Sequence, residues 1–153
     1  MFETKCLTIA CHLSLQKIRY RGMFDYRIDT DKSIDTETTS IPPMLAQPFI
    51  ENSIEHGFKN KDSKGFVTIN IKQKKDYFIL EIEDNGVGRS RAKELEKAQR
   101  KDHKSMATTI TVDRLDALNK KLKQKIRFKI IDLKYNTGKS AGTKVVFEIP
   151  LYL

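Results

Sequence analysis

Apolar and polar residues change period several times along this chain, and each change marks an element. Leu7, Ile9, Ala10, Leu13, Leu15 and Ile18 recur at helical spacing, which predicts an amphipathic helix over residues 7–20, ended near Gly22. Residues 23–28 switch to alternation, with Phe24, Tyr26 and Ile28 on one face of a strand. Residues 29–40 are polar and read as a loop. Ile41-Pro42-Pro43 stops regular structure, and Pro43 suits the first turn of a helix over 43–57 with Gly57 as its stop. Residues 66–73 and 77–82 alternate with period two around Lys75-Asp76, a hairpin. Residues 89–100 are charged and nearly devoid of large apolar side chains, a helix-compatible, solvent-exposed and mobile piece. A second core helix is predicted over 108–123, with Leu115, Leu118 and Leu122 on one stripe. Strands over 126–133 and 144–149 close the chain, separated by a turn-rich stretch, 136–142. This order predicts an α+β fold, a two-layer sandwich in which helices cover one face of a mixed sheet.

The 153 residues allow one domain with a real core, and 39% hydrophobic with 32% charged residues is a soluble, globular balance. The formal charge of +9 raises nucleic acid, a membrane surface or an anionic ligand as partners. The basic residues are dispersed among acids, however, with their densest runs at 72–75, 89–104 and 120–127. Neither an aromatic-bearing basic sheet nor a helix-turn-helix signal is present, so nucleic acid is not the expected partner. Cys6 and Cys11 lie five apart, on different faces of a helix and without metal-ligand spacing, and read as reduced thiols of a cytosolic protein. The chain has no signal peptide and no apolar run of about 18 residues. It begins inside a helical pattern without a start signal, which reads as a piece of a longer protein.

Three short segments carry candidate chemistry. Along the helix over 43–57, Pro48, Glu51, Asn52 and Glu55 fall at i, i+3, i+4 and i+7, and His56 extends the stripe. A surface helix would also have a polar face. This one holds an amide, two carboxylates and an imidazole, and the Asn52 oxygen suits Mg²⁺, which prefers oxygen ligands and keeps several waters. Asp84-Asn85-Gly86-Val87-Gly88 directly follows an apolar strand. It is strong turn chemistry, yet a plain turn needs only one glycine, and the second lets backbone approach a flat ligand. A buried Asp84 carboxylate can accept from the exocyclic amine of adenine, where guanine would present an acceptor oxygen. Gly142-Thr143 opens the last strand. Alone it is a glycine turn before an edge strand; as a third wall it would bring the Thr143 hydroxyl near Asp84 through a water. In this order the segments point to an ATP site.

The segments resemble the N box, the first glycine box and the closing Gly-Thr of the GHKL (Bergerat-fold) ATPases, a superfamily that includes histidine kinases and gyrase-type topoisomerases. The run from Ile41 to Gly57 is similar to the PP-L-QP-ENAI-HG run of LytS/YehU-type sensor histidine kinases, and Leu15–Tyr20 and His103–Met106 also look like that subfamily. The resemblance implies the ATP-binding catalytic domain of a two-component sensor kinase. Asn52 would hold Mg²⁺ and Asp84 would read adenine. Gly86 and Gly88 would line the base pocket, and Gly142 and Thr143 would close it. Glu51 would polarise the nucleophile, and His56 would sit near the phosphates or ribose. Residues 89–107 would be the ATP lid, from which Arg89, Arg91, Lys101, His103 or Lys104 would reach the triphosphate. Residues 1–22 would end a linker helix and residues 23–153 would form the catalytic domain. Its partners would be a histidine-bearing dimerisation domain and a response regulator, in a homodimer anchored at the inner membrane with this domain in the cytoplasm. The chain departs from the pattern at Glu55, where the family carries Lys, and at Met106-Ala107, where the lid ends in glycine. It also lacks the phosphoacceptor motif, for which His12 has the wrong neighbours. These departures leave open a nucleotide-binding regulatory module without kinase activity.

Overall fold

The computed structural model describes residues 2–34, 45–59, 61–98 and 106–151. Its strands are β1 (Phe24–Thr30), β2 (Gly65–Gln73), β3 (Tyr77–Asp84), β4 (Arg127–Lys134) and β5 (Ser140–Pro150). They form one sheet in the order β1-β2-β3-β5-β4. The β1–β2 pair is parallel and the other pairs are antiparallel. A parallel pair needs a long crossover. Here the crossover carries helix α2 (Gln47–Asn52), which runs into a π-helical turn, Ser53–Phe58. The other helices are α1 (Phe2–Arg19), α3 (Arg89–Ala98) and α4 (Met106–Asn119).

The strand alternation decides which face is covered. Val67, Ile69, Ile71, Phe78, Leu80, Ile82, Phe147 and Ile149 point one way and are buried beneath Leu13, Phe49, Ile50, Ile54, Phe58 and Leu115 from the helical layer. Phe49 meets Phe147 edge-on at 5.6 Å, a favoured aromatic geometry, and Phe128 stacks on Phe147 at 5.7 Å. The opposite face carries an ion-pair ladder instead. Glu81 accepts from Lys72 at 3.1 Å and pairs with Lys144 at 3.3 Å, and Lys144 reaches Glu83 at 3.5 Å. The sandwich with helices on one face of a mixed sheet is therefore as the sequence predicts.

Several boundaries differ from the sequence reading, each for a physical reason. In α1 only part of the apolar set faces inward: Leu13 is fully buried, whereas Leu15 and Ile18 are 66% and 76% exposed. The inward stripe is Ile9, Leu13 and Tyr20. The helix does close near Gly22, whose N–H donates to the Lys17 carbonyl at 2.9 Å in the left-handed conformation, φ 71°. Helix α4 stops at Asn119, before the predicted 123. There the Asn119 side-chain amide donates to the Ile126 carbonyl and accepts from the Ile126 N–H, both at 2.9 Å, substituting for further helical bonds. Leu118 and Leu122 still pack against the core. The Pro42-Pro43 helix start lies outside the described residues.

Candidate functional site

Strand β3 continues two residues past the predicted end, and this places Asp84 inside the sheet, paired with Val67 on one side and Thr143 on the other. Its carboxylate is 7% exposed. Oδ1 accepts the Gly86 N–H at 2.9 Å and the Thr143 N–H at 3.3 Å, and Oδ2 accepts the Ser53 hydroxyl at 2.7 Å. Burial pushes the Asp84 carboxyl above its ordinary range, and the bonds from Ser53, Gly86 and Thr143, with the Lys61 charge, oppose that rise. Thr143 thus touches Asp84 directly through its backbone amide. Gly142-Thr143 also sits within β5, which begins at Ser140, because β4 and β5 keep pairing to Lys134↔Ser140.

The glycines are spacers of a close-packed floor. A Cβ on Gly86 would stand 2.6 Å from the Gly57 Cα and 2.9 Å from Asp84 Oδ1, so only a bare backbone fits. Gly57 faces it across the gap, and its carbonyl accepts the Val87 N–H at 3.1 Å. Gly57 is therefore a contact point and not the helix stop that the sequence suggested; the helical path continues to Phe58. Gly88 is left-handed, φ 83°, with the Ser140 hydroxyl where a Cβ would go. Gly142, φ 128°, packs against the Asp84 carbonyl in the same way.

The polar stripe of α2 is altered by the π-helical turn. Bonding at i→i+5 widens the turn, so residues after Asn52 are rotated relative to an ideal α-helix. Glu55 swings to an exposed position, where its Oε1 accepts the Tyr20 hydroxyl at 3.4 Å. His56 lies half-buried between it and Gly57. Glu51 and Asn52 end the α-helical part, both half-buried. Asn52 is the chain neighbour of Ser53, so the 2.7 Å Ser53–Asp84 bond fixes the end of α2 against the glycine floor. Among the described residues no group of three or more His, Cys, Asp or Glu could hold a metal ion. A lone amide oxygen at Asn52 nevertheless fits Mg²⁺, whose remaining ligands are commonly waters and substrate phosphates.

The segment expected to form a lid begins as helix α3. Arg89 forks onto Asp132 of β4 with two bonds of 2.7 Å, and Arg91 pairs with Glu94 at 3.1 Å. Both arginines are ion-paired on the protein. The Asp132 carboxylate lies beside the Arg89 guanidinium, which lowers its pKa. Lys104, with Lys101 and His103, lies outside the described residues. The residues that sequence reasoning missed are Ser53 and Lys61. Ser53 is a hydroxyl inside an apolar run, four residues after Phe49, and that was its only signal. Lys61 donates to the Asn85 carbonyl, and the Asn85 side chain in turn accepts the Phe66 N–H at 2.7 Å.

The raised pKa of Asp84 sets a direction for pH dependence. The folded chain keeps this proton to higher pH than the unfolded chain does. The group therefore favours folding fully below its ordinary value of 3.8, and progressively less as pH climbs through its folded value. An Asp84→Asn variant lacks that decline. Denaturation midpoints of the two proteins, compared from about pH 3 to 7, should diverge in the variant's favour as pH rises. Divergence in the other direction would contradict the burial argument.

No family model matches the chain. Solved structures do: the catalytic domain of histidine kinase ThkA superposes with a TM-score of 0.59 at 16% identity, covering 93% of this chain and 90% of that one. The histidine kinase domain of the blue-light activated kinase EL346 from Erythrobacter litoralis gives 0.54 at 17% identity, covering 92% of this chain and 57% of that one. The chain thus shares the fold of these histidine kinase catalytic domains. In sequence, the chain is similar to the sensor protein LytS of Staphylococcus epidermidis, 37% identical over 82 residues, which are 52% of this chain and 13% of LytS. It is 28% identical over 151 residues to the uncharacterised YwpD of Bacillus subtilis, covering 98% of this chain and 50% of YwpD. The chain thus spans about half, or far less, of the curated relatives it matches. Among the described residues no helix is long and apolar enough to cross a membrane.

Proposed function

We propose that this chain is the ATP-binding catalytic domain of a two-component sensor histidine kinase. The observation that carries the reading is Asp84, a buried carboxylate anchored by Ser53, Gly86 and Thr143 above a floor where Gly86 and Gly57 meet backbone to backbone. Each carboxylate oxygen has two lone pairs, so acceptor capacity remains for the adenine amine. Asn52 offers its amide oxygen to Mg²⁺, which when bound neutralises charge on the phosphates. Glu51, one residue away and half-exposed, polarises the incoming nucleophile. The acceptor is a histidine of a dimerisation domain elsewhere in the protein, whose neutral imidazole nitrogen attacks the γ-phosphorus as the bond to ADP breaks. A response regulator then takes the phosphoryl group.

A second reading, a regulatory nucleotide-binding module without kinase activity, is favoured by one observation. Glu55 stands where the resembling family has Lys, and it is turned towards Tyr20 at 3.4 Å. Incubation of the chain with labelled ATP and the separate dimerisation domain distinguishes the two. Acid-labile label on the dimerisation domain, and none on this chain, is expected. Confirmed ATP binding with label on neither would favour the regulatory module.

A further inference from the structure

Glu51 lies near the end of α2, beside Asn52. Its side chain is 46% exposed, so packing does not fix its pose. Polar neighbours do. Gln47 Nε2 donates to Glu51 Oε1 at 3.3 Å, but Gln47 rides on the same helix one turn earlier and moves with it. The neighbour from another element is His12 of α1, whose Nε2 stands 3.7 Å from the same Glu51 oxygen. That nitrogen is buried and has no hydrogen-bond partner among the described residues. A buried polar atom left unpaired costs free energy, and a small rotation of Glu51 satisfies this one. Just past the end of α1, the Tyr20 hydroxyl donates to Glu55 at 3.4 Å. Helix α1 and the turn that ends it therefore approach Glu51 and Glu55 in turn.

We propose that His12 is a positioning residue for Glu51. It sets the carboxylate beside Asn52 and so couples the placement of α1 to the reactive end of the nucleotide site. The inference rests on the proposed function, because Glu51 matters to transfer only if transfer occurs. It assigns His12 no contact with nucleotide and no phosphoryl group.

The test uses wild type, His12→Ala, His12→Gln, Glu51→Gln and the His12→Ala/Glu51→Gln double variant, each with the dimerisation domain as acceptor. His12→Ala should lower the transfer rate constant about tenfold while leaving the ATP dissociation constant within about twofold, since only orientation is lost. Gln, whose Nε2 is a donor at similar reach, should restore most of the rate. In the Glu51→Gln background, removal of His12 should cost nothing further. An unchanged rate in His12→Ala, or an equal loss in the Glu51→Gln background, would overturn the proposal. Thermal unfolding without nucleotide decides the contact independently of activity. The single Tm shifts should fail to add by about 2 °C, and strict additivity would overturn the pairing. Absence of ATP binding by the wild type would instead overturn the proposed function, leaving the unfolding cycle to decide whether His12 and Glu51 are coupled.

Discussion

An Asp84→Asn variant stays folded and loses ATP affinity by at least about 100-fold. The fold survives because every bond at this position has an amide counterpart. The amide oxygen can accept from Gly86 and Thr143 as the Asp84 Oδ1 does. The amide nitrogen can donate to the Ser53 oxygen, whose own proton then goes to the Phe49 carbonyl 3.0 Å away. The variant also sheds the cost of a buried charge. Base recognition fails for the same reason that the fold does not. The group turned towards the base now brings donors where the adenine amine also donates, and an unpaired buried donor is costly. Calorimetric titration with ATP, alongside circular dichroism, checks both halves. Retained ATP affinity would remove Asp84 from the base site, and unfolding would make it a structural carboxylate.

Gly142→Ala has the largest expected effect on stability, at least about 3 kcal/mol, or about 10 °C in Tm. Two penalties coincide there. The backbone sits at φ 128°, where L side chains are strained, and the added Cβ would overlap the Asp84 carbonyl oxygen. Relief requires β5 to move off β3, where Asp84 pairs with Thr143 and the core side chains Val145, Phe147 and Ile149 follow. Gly138→Ala separates the causes. Gly138 has φ 81° but nothing within 4 Å of its Cβ position, so it should lose only about 1 kcal/mol of strain. Equal losses at both positions would show that strain alone, and not the close approach to Asp84, governs Gly142.

The sheet and its covered face were readable from the chain because strand periodicity is a local signal. Phe78, Leu80 and Ile82 alternate with Ile79, Glu81 and Glu83, and that alternation alone says which side meets helices. Asp84, Gly86, Gly88, Gly142 and Thr143 were readable as candidates because a plain turn needs only one glycine, and the structure brings them together around the Asp84 carboxylate. What was not readable depends on contacts across the fold. Periodicity could not tell that Leu15 and Ile18 face outward, since Leu13 alone meets the core at that level. Nor could it show that a π-helical turn, locked by Ser53 on Asp84 and by Gly57 against Gly86, rotates Glu55 away from Asn52. Nor does any local pattern announce that Arg89 forks onto Asp132, forty-three positions on.

The reading of this chain as an adenine-nucleotide site is tested most directly by titrating ATP and GTP, each with Mg²⁺, against the wild-type protein. A carboxylate acceptor at Asp84 should favour ATP by at least about tenfold, because guanine sets an oxygen against it. Equal affinities, or no binding of either nucleotide, would contradict the account.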